Sequence, residues 1–217
     1  MTDYAARRTM MVDTQVRPSD VTKFNIIDAM LHVRREVFTP DDKREIAYIS
    51  ENIPLGGGRV MLEPRTLAKM LDALDIQPDE MVLDLGCGLG YSAALLARLA
   101  DAVVAVEEVE DLAREAETLL SSENVDNAAV IHAPLAEGAA KHGPYDVIIL
   151  QGGVERMPPA ILDQVKEGGR IAAIFMEKGL GACRLGYKVD GDVSWRFEFN
   201  ASAPVLNGFA QEQAFML

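Results

Sequence analysis

The 217-residue sequence has no long hydrophobic run. Its longest apolar region, AALLARLADAVVAV, is interrupted by Arg98 and Asp101, so we expect no segment that spans a membrane. The first residues contain no apolar h-region, and we therefore expect no signal peptide. The sequence thus predicts a protein that has no membrane association.

Cysteine and histidine are both scarce. The two cysteines, Cys87 and Cys183, lie far apart in the sequence, and we expect free thiols in a reducing cytoplasm, with a disulfide as the alternative. His32, His132 and His142 do not combine with them in a metal-ligand spacing. The sequence therefore predicts a cytoplasmic protein without a metal site.

Positive charge is also in short supply. The chain has 21 Lys and Arg residues against 34 Asp and Glu residues, for a formal net charge of −13. An acidic surface repels a polyphosphate, so we expect no nucleic-acid partner. The content of 49% hydrophobic and 25% charged residues is that of an ordinary globular protein. The length suits one α/β domain with a sizeable core or two small domains.

The first 76 residues are predicted to be mainly helical. The segment SDVTKFNIIDAMLHV has apolar residues at helical spacing, with Ser19 and Asp20 as candidate N-caps. TPDDKREIAYI is expected to begin another short helix or turn, and EPRTLAKMLDALDI a further helix. Between them, the glycine-rich stretch LGGGRVMLEP (residues 55–64) is interpreted as a loop.

From residue 77 onward, short apolar runs alternate with helical segments. The predicted strands are MVLDLG, AVVAVEE, NAAVIHA, YDVIILQG and RIAAIFM, and PPAILDQVKEGG is predicted to be the helix before the last of them. This alternation indicates an α/β fold with a Rossmann-like, doubly wound, mostly parallel sheet. Asp190 and Gly191 supply the turn of a C-terminal antiparallel hairpin. We expect a single domain over residues 1–217, made of a helical cap (1–76) and a ligand-binding core (77–217).

The segment VLDLGCGLGY lies where the first strand of the core meets its helix. Gly86, Gly88 and Gly90 allow a sharp turn and close approach of a ligand to the backbone around Cys87. Their G-x-G-x-G spacing differs from the G-x-G-x-x-G of dinucleotide sites. Asp84 precedes the turn and would repel a pyrophosphate, but it suits a ligand that carries an ammonium group. S-adenosylmethionine has that group and no phosphate.

The second strand of the core ends in Glu107, about twenty residues after the glycine turn begins. A carboxylate at this place can accept hydrogen bonds from both ribose hydroxyls of a nucleoside. Taken alone, Glu107 could equally be an exposed acid at the start of a helix, and Asp84 a turn residue at a strand end. Together with the glycine turn they predict nucleoside binding.

The glycine motif resembles that of class I S-adenosylmethionine-dependent methyltransferases. The series RREVFTP, AY, IPLGGG…EP, VLDLGCGLGYSAALLA, GPYDVIIL and PPAILDQVKEGGRI is similar to one family among them, the protein-L-isoaspartate O-methyltransferases. The resemblance covers roughly residues 11–170. It implies methyl transfer to the carboxyl group of an L-isoaspartyl residue in a protein or peptide, as a step of protein repair. It also implies S-adenosylmethionine as cofactor, bound by Asp84, Gly86, Gly88, Gly90 and Glu107.

The chain departs from the family's pattern on the substrate side. The resemblance makes Arg59, Val60, Met61 and Leu62 a lid over the methyl group, and Leu62 takes the place of an expected hydroxyl. Where the family has a Gly-Asp-Gly turn that contacts the adenine, this chain has Ala133, Pro134 and Leu135. Backbone groups and apolar walls from Leu135 and Ile131 are then expected to hold the adenine, with Pro134 also among the cofactor-binding residues.

Several functions stay open at this point. The chain could methylate isoaspartyl residues, act on another protein or a small molecule, or bind S-adenosylmethionine without catalysis. A nucleotide-dependent oxidoreductase is disfavoured by the glycine spacing and by Asp84. Arg59 and Arg65 could pair with a substrate carboxylate or be solvated loop charges. The loss of the hydroxyl at Leu62 predicts weak or absent isoaspartyl transfer. The sequence does not predict the oligomeric state.

Overall fold

The computed structural model of the protein describes residues 3–211. The α-helices in this range are α1 (Tyr4–Met11), α2 (Phe24–His32), α3 (Pro64–Leu74), α4 (Tyr91–Leu96), α5 (Glu110–Ser122) and α6 (Pro159–Leu162). The strands are β1 (Ile53–Gly56), β2 (Arg59–Met61), β3 (Met81–Leu85), β4 (Ala102–Glu107), β5 (Ala128–His132), β6 (Tyr145–Val154), β7 (Val165–Glu177), β8 (Leu180–Val189) and β9 (Asp192–Asn200). No helix among the described residues is long and apolar enough to cross a membrane.

The N-terminal region is helical as predicted, but its boundaries differ from those expected. The candidate N-caps Ser19 and Asp20 end a helical segment instead of starting one, because α1 continues through a π turn and a 3₁₀ turn to Ser19. Asp20 then adopts a left-handed conformation with φ 66°, which breaks the helical path. Helix α2 begins four residues later, at Phe24.

The glycine-rich stretch is a β-hairpin, so its interpretation as a loop was wrong. Strands β1 and β2 pair only with each other, and they are joined through Gly57 and Gly58. Gly56, Gly57 and Gly58 all have positive φ, between 57° and 93°, which residues with a Cβ rarely adopt. The three glycines therefore serve a tight turn, and the strands on either side become a separate two-stranded ribbon.

The main sheet has seven strands in the order β5-β4-β3-β6-β7-β8-β9. The five strands β5, β4, β3, β6 and β7 run parallel to one another. Strands β8 and β9 add an antiparallel edge, and they are joined by the turn at Asp190 and Gly191. The predicted fold class, including this C-terminal hairpin, is confirmed. Strands β4 and β5 are added on one side of β3, and β6 and β7 on the other side. The strand order therefore reverses between β3 and β6, and open sheets of this type bind ligands at such a switch point.

The core lies on both faces of the sheet. Successive residues of one strand, such as Val82 and Leu83 or Ile148 and Ile149, belong to two separate buried apolar clusters. Because successive side chains of a strand point to opposite faces, each cluster covers one face. This burial on both sides explains why the strands read as continuous apolar runs.

The predicted helix PPAILDQVKEGG is much shorter in the structure. Helix α6 ends at Leu162, and strand β7 already begins at Val165, which pairs with Tyr145 of β6. Residues from Val165 onward, which the sequence pattern had assigned to the helix, thus pair as part of strand β7. After β9 the chain returns beside the end of β6, where Leu206 N–H donates to Gly153 O at 2.8 Å.

Candidate active site at the ends of β3 and β4

The turn between β3 and α4 is built from glycines in left-handed conformations. Gly86, Gly88 and Gly90 have φ values of 84°, 57° and 97°. The N–H of Gly86 donates to Val106 O of the neighbouring strand β4 at 2.7 Å. The turn is therefore held against the carboxyl end of β4, and the next residue of that strand, Glu107, is brought close to it.

Glu107 is fully buried, so the alternative of an exposed acid at a helix start is wrong. Its Oε2 accepts from the N–H of Gly88 at 2.8 Å, and its Oε1 accepts from the N–H groups of Glu108 and Val109 at 2.9 and 3.1 Å. A carboxylate with three backbone donors is held in one orientation. The predicted proximity of Glu107 to the glycine turn is present in the structure.

Asp84, at the end of β3, is also fully buried. Its carboxylate accepts from Ser92 Oγ at 2.6 Å and from Gln151 Nε2 at 2.8 Å. Burial raises the pKa of Asp84 to about 6 from an ordinary 3.8, although both hydrogen bonds favour the charged form. The carboxylate is therefore anchored by two neighbouring side chains at the switch point of the sheet.

Replacing Asp84 by Asn should flatten the pH dependence of stability between about pH 4 and 6. In this window Asp84 is protonated in the folded chain but ionised in the unfolded chain, so its contribution favours unfolding as pH rises. The shift of about two pH units predicts that the wild type loses up to about 3 kcal/mol relative to Asp84→Asn, with no further change above pH 6. Urea unfolding of both proteins at several pH values measures this difference. A difference that does not vary with pH would contradict the prediction.

Arg59 is the least expected element of the site. The alternative of a solvated loop charge is wrong for this residue, because it is 3% exposed. Its Nε lies 3.3 and 3.2 Å from the two carboxylate oxygens of Glu107, and its Nη2 donates to Gly86 O at 2.5 Å. Arg65, by contrast, is partly exposed, with its guanidinium 5.7 Å from the ring centre of Phe199. A buried ion pair thus ties the hairpin to the end of β4, and a hydrogen bond to Gly86 O ties it to the glycine turn.

The other predicted lid residues, Val60, Met61 and Leu62, are buried as well. Leu62 is 1% exposed, and its carbonyl accepts from Nη2 of the buried Arg35 at 2.8 Å. Val60, Met61 and Leu62 line a cavity of about 10 Å³ beside Gly86 of the glycine turn, and Arg59 does not. Other residues around this cavity are Phe38, Leu55, Leu67, Cys87, Leu89, Tyr91, Ser92 and Gln151. The side chains of the lid present only apolar surface to it.

Comparison with known proteins shows which family this chain belongs to. The model of the family described as Protein-L-isoaspartate(D-aspartate) O-methyltransferase matches residues 6–181. The chain belongs to this family. It is 36% identical over 171 residues to a protein-L-isoaspartate O-methyltransferase of Koribacter versatilis, covering 79% of this chain and 77% of the relative. It is 34% identical to protein-L-isoaspartate O-methyltransferase 2 of Pelobacter propionicus, covering 76% and 73%.

Solved structures with this family's name share the fold. A protein-L-isoaspartate O-methyltransferase superposes with a TM-score of 0.82 at 22% identity, over 93% of this chain and 66% of the other. A protein of the same name from Plasmodium falciparum, in complex with S-adenosyl-L-homocysteine, gives a TM-score of 0.79 at 18% identity, over 95% and 99%. The prediction of an S-adenosylmethionine-dependent methyltransferase of the protein-L-isoaspartate O-methyltransferase family is confirmed.

Two predicted contacts of the adenine lie beside this site but do not line its cavity. The N–H of Ala133 donates to Glu107 O at 3.2 Å, so Pro134 follows close to the end of β4 and is exposed. Leu135 is fully buried and belongs to the cluster on one face of the sheet. The assignment of Pro134 and Leu135 to an adenine site stays a prediction.

Cys87 and Cys183 are buried, and both are free thiols as expected. Burial raises the pKa of the Cys87 thiol well above its ordinary value, and the neighbouring carboxylates of Asp84 and Glu107 add to this shift. A thiol that stays protonated is a poor nucleophile. Cys87 lines the cavity beside the turn, and its assignment to the cofactor site stays a prediction.

The sequence analysis missed several residues of this family member's site. Gln151 could have been recognised from the sequence, because it is a polar residue that directly follows the apolar run at residues 147–150 of β6. Ser92 and Leu55 could not, since a serine in a helix and a leucine in a strand are ordinary. Arg35 lies in the family-like segment RREVFTP, but only the structure shows that it is fully buried and reaches Leu62.

Proposed function

We propose that this family member transfers the methyl group of S-adenosylmethionine to the carboxyl group of an isoaspartyl residue in a protein or peptide. The observation that carries the proposal is the pairing of the Glu107 carboxylate with the N–H of Gly88, at the carboxyl ends of adjacent parallel strands. This is the place where an open α/β sheet binds a nucleoside.

The chemistry of the residues present fits this cofactor. Glu107 would hold the ribose hydroxyls, and the backbone of Gly86 to Gly90 would lie along the rest of the molecule. Asp84 would stabilise the turn through its hydrogen bonds with Ser92 and Gln151. The cofactor supplies an activated methyl group, and the protein has to align the acceptor with it and exclude water.

The site offers few hydrogen-bond donors to the methyl acceptor. A carboxylate acceptor needs no general base, but it needs donors that hold it in line with the methyl group. The side chains of Val60, Met61 and Leu62 offer none. Positioning would fall to backbone groups of the lid, which predicts slow transfer.

We expect slow methylation of an isoaspartyl peptide and none of the matched aspartyl peptide. Leu62→Ser should raise the rate about tenfold, because a hydroxyl returns a donor beside the acceptor and one well-placed interaction corresponds to about 1.4 kcal/mol. Transfer of a radiolabelled methyl group measures both. Leu62→Ala is the matched control, since it removes similar volume without adding a hydroxyl. Equal labelling of the two peptides would contradict isoaspartyl specificity.

A second candidate function is cofactor binding with another acceptor or with no catalysis. It is favoured by Leu62, which is buried in the apolar core and replaces the hydroxyl implied by the family pattern. Binding of S-adenosylhomocysteine without methylation of either peptide, including by Leu62→Ser, would support this candidate over the first. A cytoplasmic location stays part of the proposal, and it rests on the scarcity of cysteine.

A further inference from the structure

The hairpin β1–β2 fills the place where the proposed function puts the cofactor. A Cβ added to Gly86 would lie 1.9 Å from Nη2 of Arg59, and a Cβ added to Gly88 would lie 2.4 Å from Cδ1 of Leu55. Both glycines have positive φ and no side chain, which would let a ligand approach the backbone closely. In this structure it is Arg59 and Leu55 that make this close approach.

The space enclosed between the hairpin and the glycine turn is small. The cavity there, lined by Gly86 and Cys87 of the turn and by Leu55 and Val60 of the hairpin, has about 10 Å³, roughly the room of a single water molecule. Pockets for small-molecule ligands are about 300–1,000 Å³. While the hairpin is in place, this side of the turn therefore has no room for the cofactor.

The Glu107 carboxylate, which would accept the ribose hydroxyls, already has hydrogen-bond partners. Three backbone N–H groups and the Arg59 guanidinium surround the two carboxylate oxygens of Glu107. The N–H of Gly88, Glu108 and Val109 belong to the site itself, whereas Arg59 comes from the hairpin. Arg59 is therefore the partner that a ribose would have to replace.

The hairpin can move at its tip without unpairing the main sheet. Its strands form no backbone pairing with the main sheet, and its tip at Gly56 to Gly58 is exposed. Its base is tied down separately, because Asn52 donates to Ser202 O at 2.9 Å and accepts from the N–H of Glu63 at 2.8 Å. The contacts of Arg59 and Leu55 with the glycine turn can break while this base stays in place.

We propose that Arg59 sets the affinity for the cofactor by competing with it for Glu107. This inference rests on the proposed function, because it takes the glycine turn and Glu107 as the cofactor site. The cofactor binds only the fraction of molecules in which Arg59 has left the turn, and the apparent affinity falls by that fraction. Removing the guanidinium raises the fraction and therefore tightens binding.

The experiment is a calorimetric titration of S-adenosylhomocysteine into the full chain and its variants, with thermal shift as a second readout. This ligand lacks the sulfonium charge of S-adenosylmethionine, so a gain in affinity cannot come from removing repulsion between that charge and Arg59. Arg59→Ala should bind at least tenfold more tightly than the wild type. Arg65→Ala is the matched control, because it removes the same charge from a nearby residue outside the turn, and it should bind as the wild type does.

Arg59→Gln covers the case in which Arg59→Ala does not fold. Its amide is uncharged and shorter, so it cannot bridge Glu107 and Gly86 O, and it should also bind more tightly. A merely structural role for Arg59 would lower stability without raising affinity. Equal affinity of the wild type and the folded Arg59 variants would overturn this inference and leave the proposed function standing. No binding by any of the proteins would overturn the proposed cofactor site and, with it, this inference.

Discussion

Glu107→Ala should lower the free energy of unfolding by about 3–5 kcal/mol, the usual cost of leaving one member of a buried ion pair without its partner. The substitution leaves the guanidinium of Arg59 buried and uncompensated. It also removes the acceptor for the N–H groups of Gly88, Glu108 and Val109. Arg59→Ala should cost less, roughly 2 kcal/mol, because Glu107 keeps those three backbone donors.

Urea unfolding of both single variants and of the double variant measures this asymmetry. Because the double variant no longer contains the orphaned guanidinium, it should be more stable than Glu107→Ala alone. This expected coupling follows from direct contact between the two side chains. A double variant whose loss equals the sum of the two single losses would show that the ion pair makes no such contribution.

Phe209→Ala should also cost about 3–5 kcal/mol, as truncations of a buried aromatic side chain do. Phe209 is fully buried, although it lies in the C-terminal segment after the last strand. Its carbonyl accepts from the N–H groups of Glu155 and Arg156, both at 3.0 Å, and its neighbour Leu206 packs against Gly152. The segment therefore belongs to the core at the end of β6.

Phe24→Ala is the matched control for this prediction. Phe24 is 81% exposed at the start of α2, so the same truncation there should change stability by less than about 0.5 kcal/mol. Thermal or urea unfolding of the two variants compares the sites directly. Similar losses at both positions would contradict the assignment of the C-terminal segment to the core.

Much of the parallel sheet could be predicted from local patterns. Apolar runs such as that of β3 alternate with amphipathic helices such as α5, and both faces of a parallel sheet must be covered. The pair Asp190 and Gly191 predicted the hairpin turn because both tolerate positive φ. The helix α6 was overestimated, since its pattern continues into residues that β6 pairs into the sheet, and strand pairing is a long-range interaction that propensity does not register.

The sequence by itself determined the fold class, the glycine turn and the carboxylate at the end of β4, because spacing along adjacent parallel strands specifies where their ends meet. Only the tertiary structure decided what lies on that turn. Arg59 is 48 residues from Glu107, and no local pattern distinguishes a solvated arginine from one whose charge is paired in the interior. That choice depends on how the hairpin packs against the turn, because burial of a charge is favourable only where a partner is already in place.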